Sequence, residues 1–229
     1  MRKTRAISLT ATFAALHAVL GFLSLGIGWR NWAIYLEPFE GIILGPKIGF
    51  FTALMGSSIA RMAGLSNDWI FGVIAEPLSA LIAGLISKAK WKPVLAIYGA
   101  MLSAYFIDPL GRALPIWTIL DILLATLLIY PSAKLSSSLF GTSAKRLSIA
   151  LALISFTVIA TDSLTRVFLL IPCGLSNLFS SDFGVIYGIF VQGAAFSYAE
   201  DIIALTFSFL VGVPLLITVL KLRKSSNQE

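Results

Sequence analysis

Apolar runs of membrane-spanning length, about 18 residues, follow one another along nearly the whole chain. The chain is 58% hydrophobic and only 12% charged, and its mean hydropathy is +0.91. A soluble chain of 229 residues would bury one core and would not repeat such segments. The sequence therefore predicts an all-α fold, a polytopic transmembrane helical bundle of 6 to 8 helices, multi-pass in the cell (plasma) membrane.

Residues 1–229 are predicted to form a single integral membrane domain. Eight apolar segments lie at about 6–26, 33–44, 48–64, 69–87, 93–107, 113–131, 147–171 and 198–220. Residues 1–5 form a basic cytoplasmic N-terminus, and residues 225–229 a disordered tail. Two separate alternatives stay open. Residues 93–131 could be an extra hairpin that does not cross the membrane, and, independently, the first segment could be a cleaved signal peptide that ends near Ala18.

The positions of the charged residues favour cytoplasmic N- and C-termini. All but four of the 17 lysine and arginine residues precede the first segment, occupy alternate gaps or follow the last segment, as the positive-inside rule requires. The exceptions are Arg30, Arg61, Arg112 and Arg166. Of the 11 acidic residues only Glu229 is cytoplasmic in this topology, so we expect the chemistry of the protein on its outer side.

Composition also limits the function classes. The net charge of +6 does not indicate a nucleic-acid partner, because the basic residues lie between apolar segments as topology signals. The single cysteine, Cys173, excludes an intramolecular disulfide and a cysteine-based metal cluster. No metal site and no cofactor are expected.

Residues 33–64 are predicted to form an antiparallel helical hairpin. Pro46 cannot continue a helix, and Gly45 permits a sharp reversal. Glu-Pro, an aliphatic run and glycine recur at a spacing of 39 residues, in EPFEGIILG at 37–45 and EPLSALIAG at 76–84. This similarity is either a parallel repeat, which would place two Glu-Pro breaks side by side, or a chance match in biased composition.

Ionisable side chains inside apolar segments are the candidates for a functional site. Each costs about 2.5–3.5 kcal/mol on insertion scales, so such residues usually pair or serve a ligand pathway. They are Glu37, Glu40, Arg61, Glu76, Asp121, Asp162, Arg166, Glu200 and Asp201.

Several of these residues have both a structural and a functional interpretation. Glu76 is predicted either to contact a polar ligand, since Pro77 frees a backbone carbonyl beside it, or to pair with Arg61. Asp162 and Arg166 are four residues apart on one helix face, so they form a mutual ion pair or contact the ligand.

The remaining candidates are at the outer side. Glu200 and Asp201 would stand at the outer start of the last helix, solvated at the interface or in contact with ligand, and Asp121 has no obvious partner.

His17 is predicted to be a hydrogen-bonding core residue. The stretch 172–197 is predicted to be a long outer loop whose apolar part, 183–196, dips into the membrane or covers a cavity.

Trp29-Arg30-Asn31-Trp32 is predicted to be an interfacial anchor or a lid over a planar ligand.

Two stretches in the N-terminal third carry a family resemblance. ATFAALHAV at 11–19 follows the basic start and repeats small residues four apart, and ILGPKIGFFTALMGS follows at 43–57. They resemble the first helix and the Leu-Gly-Pro-x-x-Gly hairpin of the substrate-binding S components of energy-coupling-factor (ECF) vitamin transporters. The similarity covers roughly residues 1–90 and, more loosely, the last 80, while 93–131 departs from the six helices usual in that family.

The resemblance implies a subunit that captures a small water-soluble vitamin or related micronutrient from outside, not an enzyme. Its implied partners are the lipid bilayer, a transmembrane scaffold subunit and two ATPases, on which the subunit topples. The implied docking face consists of Ala11, Ala14, Ala15 and Ala18. The implied substrate-binding residues are Trp69, Glu76, Asp162, Arg166, Asn177, Tyr198, Glu200 and Asp201. The chain contains no phosphate-binding loop, so energy must come from a partner or an ion gradient.

Three other functions remain compatible with the sequence. An ion- or proton-coupled secondary transporter of a small polar solute would use the same buried carboxylates without an ATPase. A membrane-embedded enzyme would need a pair such as Asp121 and Asp162, and the sequence has neither HExxH nor Gly-x-Ser-x-Gly. A non-transporting assembly subunit predicts neither a ligand nor an outer cavity.

Overall fold

The computed structural model describes residues 3–23, 31–63, 69–141 and 143–225, and they form a bundle of α-helices. The helices are α1 (Lys3–Phe22), α2 (Glu37–Leu44), α3 (Pro46–Ala63), α4 (Trp69–Ser87), α5 (Trp91–Ile107), α6 (Pro109–Ala113), α7 (Leu120–Leu135), α8 (Ala144–Leu170), α9 (Phe183–Phe207) and α10 (Val213–Ser225). Short 3-10 turns lie at Trp32–Tyr35, Ile116–Ile119, Ser136–Phe140 and Leu175–Leu178, and a π-helical turn at Ser208–Gly212 joins α9 to α10. The described residues form no β-strand, which confirms the predicted all-α class.

Among the described residues, four helical stretches are long and apolar enough to cross a membrane. They are Trp69–Ser87, Ile116–Phe140, Ala144–Leu170 and Phe183–Val219. Two shorter apolar helices, Ile7–Phe22 and Trp91–Ile107, accompany them. The fold is compatible with a helical membrane bundle, whereas the number of crossings and the side of the termini stay predictions. Trp29 and Arg30 of the predicted lid, and residues 226–229 of the predicted tail, lie outside the described residues.

The predicted helical hairpin is confirmed as α2 and α3. Helix α2 ends at Leu44, and Gly45 follows with φ of 85°, a left-handed conformation that glycine adopts without strain. Pro46 then occupies the first position of α3, where its missing N–H leaves no hydrogen bond unmade. The chain therefore reverses over a single residue.

Helix α2 also packs against α4, which places the two Glu-Pro elements side by side. A Cβ on Gly41 would overlap the carbonyl oxygen of Ala80, and a Cβ on Gly84 would overlap the backbone of Pro46. Gly41 and Ala80 are 39 residues apart, the spacing of the predicted repeat. The two elements therefore run in parallel and in the predicted register, and glycine allows their backbones to approach closely.

Helix α8 is the central helix of the bundle. Its residues 154–165 are all buried, and it packs against α4, α5, α7 and α9. Tyr98 of α5 is fully buried, and its hydroxyl donates a hydrogen bond of 2.8 Å to the carbonyl oxygen of Thr157 in α8. The segment predicted to be an extra hairpin, 93–131, is thus an integral part of the core.

The prediction of a long loop over 172–197 was wrong. Helix α9 begins at Phe183, where Asp182 caps it by accepting a hydrogen bond from the backbone N–H of Gly184 at 2.6 Å. The apolar run that starts at residue 183 is continuous with the last predicted segment, so one long helix contains both, and most of its residues are at least partly exposed. Near the end of this helix, Gly212 of the π-helical turn packs against Phe39 and Leu151.

We expect Gly41→Ala to lower the free energy of unfolding by about 1–3 kcal/mol, because the added methyl group would overlap the backbone of α4. Gly99 in α5 is the matched control, since a Cβ there meets nothing within 4 Å. Gly99→Ala should be neutral or stabilise by up to about 1 kcal/mol. Unfolding of the detergent-solubilised protein measures both effects, and equal effects would contradict the close approach of α2 and α4.

Candidate functional site

A group of buried charged and polar side chains lies where α1, α2, α3, α4 and α8 meet. We call it the ionic cluster, and it comprises His17, Asn31, Glu37, Glu40, Arg61, Glu76, Asp162 and Arg166. His17 and the four carboxylates are at most 1% exposed. Because unpaired charges at such depth are strongly unfavourable, the arrangement of partners determines whether this core is stable.

Glu76 is the centre of the ionic cluster. Its Oε1 accepts hydrogen bonds from Nη2 of Arg61 at 2.6 Å and from Nδ2 of Asn31 at 3.3 Å. Its Oε2 lies 2.9 Å from Nε2 of His17, and Nη2 of Arg166 lies 3.8 Å from Oε1. The predicted pair of Glu76 and Arg61 is confirmed, and the same carboxylate joins α1, α3, α4 and α8.

His17 lies between two carboxylates. Its Nδ1 is 3.0 Å from Oε1 of Glu40, and its Nε2 contacts Glu76. An imidazole donates from both nitrogens only in its protonated, imidazolium form, which would balance part of the negative charge. The predicted role of His17 as a hydrogen-bonding core residue is confirmed.

Asp162 and Arg166 form the predicted ion pair on α8. Nε of Arg166 donates to Oδ2 of Asp162 at 2.7 Å, and Nη2 donates to Oδ1 at 3.3 Å. This two-point contact fixes the plane of the guanidinium group. Arg166 also borders a cavity, so it connects the ionic cluster to that space.

The cavity has a volume of about 110 Å³ and lies between α4, α7, α8 and α9. Its polar lining consists of Thr118, Asp121, Ser163, Arg166, Ser197 and Glu200. Its apolar lining includes Phe71, Ile122, Val167, Leu170, Phe190 and Phe196. A single water needs about 10–15 Å³ on the same measure, so the space holds several waters or a small organic group.

Three side chains form a hydrogen-bonded row along the polar wall of the cavity. Oγ of Ser197 lies 3.1 Å from Oγ of Ser163 and donates to Oδ2 of Asp121 at 3.0 Å. Asp121, for which the sequence suggested no partner, is therefore hydrogen-bonded. The sequence interpretation missed both serines, although each stands three residues before a predicted site residue, Arg166 or Glu200.

The structure brings together some of the predicted site residues and not others. Arg166 and Glu200 line the cavity, and Glu76 and Asp162 lie directly behind Arg166. Trp69 is about half exposed and does not line the cavity.

The other predicted site residues occupy different positions. Asn177 is exposed in the turn Leu175–Leu178. The hydroxyl group of Tyr198 donates to the carbonyl oxygen of Trp117, which ties α9 to the 3-10 turn before α7. Glu200 and Asp201 are buried in the middle of α9, so the prediction that they are solvated at the start of a helix was wrong. A binding role for each of these residues stays a prediction.

The four alanines of the predicted docking face point in two directions. Ala14 and Ala18 are buried in the bundle, whereas Ala11 and Ala15 are exposed. Helix α1 packs against α3. Only Ala11 and Ala15 are on a surface that another subunit can reach.

The geometry suits the binding of a small polar molecule with an apolar or aromatic portion. The guanidinium group of Arg166 offers donors to an acceptor, and the carboxylates of Asp121 and Glu200 offer acceptors to a donor. Phe71 and Phe190 supply apolar surface in the same cavity. Ligand sites in proteins commonly combine an apolar wall with a few placed polar groups.

Two curated proteins are similar to parts of the chain. An uncharacterised protein of Methanocaldococcus jannaschii is 27% identical over 128 residues, which cover 54% of this chain and 42% of that protein. A UPF0397 protein of Streptococcus gordonii is 30% identical over 83 residues, which cover 34% of this chain and 45% of that protein. The chain thus spans less than half the length of either relative. No family model and no solved structure matches it.

The apolar helical bundle and the UPF0397 relative are together compatible with a component of a membrane transporter. They also fit a protein that is not an enzyme.

We expect Glu76→Gln to lower the free energy of unfolding by about 3–5 kcal/mol, because it leaves buried cationic groups of Arg61 and His17 without their shared carboxylate. Asp182→Asn is the matched control, since asparagine and aspartate cap a helix equally well at this exposed position. Thermal unfolding in detergent measures both variants. A Glu76→Gln protein as stable as the control would show that the ionic cluster does not hold the bundle together.

Proposed function

We propose that this protein is the membrane-embedded substrate-capture subunit, or S component, of an ECF-type importer. It binds a small water-soluble vitamin or related micronutrient from the extracytoplasmic side and delivers it by toppling with a scaffold subunit and ATPases. The cavity bordered by Arg166 carries this proposal. The resemblance of residues 11–19 and 43–57 to S components supports the choice of family.

The cavity lies at the end of the bundle that the predicted topology assigns to the exterior. Phe71 is in the first turn of α4 and Asp121 in the first turn of α7, and both helices run inward in that topology. Arg166 is near the end of α8, which runs outward. In that topology all three residues lie on the side from which a nutrient would arrive, which supports the proposal.

The proposed ligand contacts are made by two groups of residues. Arg166 and Glu200 contact the ligand directly, and Asp121 does so together with Ser197. Glu76 and Asp162 hold the guanidinium group of Arg166 in place. A fixed guanidinium group binds an acceptor with less loss of side-chain entropy than a mobile one.

The outer predicted residues have supporting roles in this proposal. Tyr198 fixes the position of α9 relative to the 3-10 turn before α7, and Asp201 is buried on the same helix. Trp69 and Asn177 do not line the cavity, and a ligand contact for either residue stays a prediction. Ala11 and Ala15 form the face that docks the scaffold subunit, because small residues let two helices approach closely.

An ion- or proton-coupled secondary transporter is the second candidate, and one observation favours it. The ionic cluster holds four carboxylates, and Glu37 accepts no hydrogen bond from any described residue. Transport by the purified protein alone in liposomes, driven by an ion gradient, would support this candidate. Transport only in the presence of ATPases would support the S component.

We expect Gly193→Leu to reduce ligand retention by roughly tenfold or more, because Gly193 lines the cavity and a Cβ there enters open space. A tenfold loss corresponds to about 1.4 kcal/mol of binding free energy. Mass spectrometry of small molecules that remain bound through purification identifies the ligand, and titration of that molecule compares the variants.

Gly188→Leu is the matched control for this experiment. Gly188 is on the same helix, also has open space for a Cβ, and does not line the cavity. Equal retention by both variants would place the ligand elsewhere, and a wild-type protein that retains no molecule would argue for an assembly subunit.

We expect Ala15→Trp to block assembly with the scaffold and ATPase subunits while ligand retention is unchanged, because the indole group would hold the two helices apart. Ala96→Trp is the matched control, an exposed alanine on α5. Co-purification with co-expressed scaffold and ATPase subunits measures assembly. Normal assembly of Ala15→Trp would contradict docking through this face of α1.

A further inference from the structure

The charges of the ionic cluster pair almost completely. Three cationic groups face three carboxylates: His17 contacts Glu40 and Glu76, Arg61 contacts Glu76, and Arg166 contacts Asp162. Each of these contacts is 3.0 Å or shorter. With His17 as imidazolium, three positive charges balance three negative charges.

Glu37 is the fourth carboxylate of the cluster and stands outside this pairing. Its side chain is fully buried, and neither oxygen accepts a hydrogen bond from any residue that the structure describes. Proteins rarely bury a carboxylate ion in this way, since an isolated ion far from water is among the least favourable groups in a fold. Some species must therefore neutralise Glu37.

The surroundings of Glu37 are predominantly negative. It interacts electrostatically with the carboxylates of Asp162, Glu76 and Glu40, and Arg166 is the one cation with which it interacts among the described residues. The position follows from the fold, because Glu37 corresponds to Glu76 in the parallel register of α2 and α4. Arg166 is already engaged by Asp162.

We propose that Glu37 is a proton-binding site, whose carboxyl group is held in the neutral, protonated form inside the ionic cluster. A neutral acid avoids repulsion from three neighbouring carboxylates and needs no cation of its own. Glu37 also begins α2, where the helix dipole favours an ionised carboxylate, but that effect is weaker than the penalty for burying an uncompensated ion. This inference does not depend on the proposed transport function.

Four helices and one turn around Glu37 contribute charged or titratable groups to this environment, whereas α9 and the π-helical turn contact α2 through Phe207 and Gly212. The charged groups are His17 from α1, Glu40 from α2 itself, Arg61 from α3, Glu76 from α4, and Asp162 and Arg166 from α8. The 3-10 turn before α2 contributes the buried Tyr35. None of these groups needs to change its partner for Glu37 to remain neutral.

The proton on Glu37 is linked to the cavity through Arg166. That guanidinium group attracts Glu37 and also lines the cavity wall. A molecule in the cavity that attracts the guanidinium group of Arg166 leaves less positive charge near Glu37, so it strengthens proton binding at Glu37. By thermodynamic linkage, the proton on Glu37 strengthens the binding of that molecule to the same extent.

Infrared difference spectroscopy of the purified, detergent-solubilised protein tests the proposal. The probe is the carbonyl stretch of a protonated carboxylic acid, which shifts on exchange into deuterium oxide. We expect the wild-type minus Glu37→Gln spectrum to contain this band. Glu40→Gln is the matched control, since Oε1 of Glu40 has a partner that is cationic in the proposed arrangement, Nδ1 of His17 at 3.0 Å, and we therefore expect its difference spectrum to lack the band.

Thermal unfolding provides a second measurement that does not depend on the spectrum. Glutamine has the shape and charge of a protonated glutamate, so Glu37→Gln should leave the unfolding temperature unchanged, whereas Glu40→Gln should lower it. A Glu37→Gln protein that fails to fold, or is destabilised as strongly as Glu40→Gln, would overturn the proposal, because it would show that an ionised Glu37 is needed.

Two other outcomes would also overturn it. One is the absence of the acid carbonyl band from the Glu37→Gln difference spectrum. The other is stabilisation of the wild-type protein by sodium ions at constant ionic strength that is lost in Glu37→Gln, which would assign the site to a metal cation instead of a proton.

Discussion

The bundle depends on one buried carboxylate that joins four helices. Glu76 accepts hydrogen bonds from Arg61 and Asn31 and contacts His17, and Arg166 approaches it from α8. Without Glu76, Arg61 and the amide group of Asn31 would lose this carboxylate partner, whereas His17 would keep Glu40 and Arg166 would keep Asp162. The fold therefore tolerates charge in its interior because each cation has a carboxylate partner, and Glu76 is the carboxylate that most of them share.

Close backbone packing makes this convergence possible. Gly41 and Gly84 let α2 approach α4, and Gly56 lets α3 approach His17, since a Cβ there would come within 2.6 Å of the Cβ of His17. Helices separated by larger side chains would leave the charged groups too far apart for direct contact. Small residues and buried ions are thus two parts of one arrangement, and neither is explained by hydrophobic packing alone.

Much of the architecture follows from the order of apolar and polar residues. The bounds of α4 are those expected, and the reversal at Gly45 and Pro46 follows from the conformational limits of those two residues. The ion pair of Asp162 and Arg166 is also predictable, because a spacing of four on a helix leaves little choice of geometry.

The interpretation from sequence failed where tertiary contacts decide. Glycine and serine between residues 172 and 197 suggested a loop, but Phe183 begins a helix that packs one face against α8 and leaves most of its apolar side chains at least partly exposed. The contact of Ser197 with Asp121 joins residues that are 76 apart, and no local pattern indicates it. The split of the alanines of α1 into an inward and an outward pair likewise depends on where α3 lies.

The π-helical turn Ser208–Gly212 has a consequence for the long helix that contains it. A π turn accommodates one extra residue, which rotates everything on one side of it by about 100° relative to an unbroken α-helix. The part of the helix before the turn carries Ser197 and Glu200, and Gly212 at the end of the turn packs against Phe39. The direction in which Ser197 and Glu200 point is therefore not fixed by the direction in which Gly212 points. A single residue inserted or deleted at this turn can rotate the side chains that line the cavity while Gly212 stays packed against Phe39. The lining of the cavity can therefore change without a change in the core.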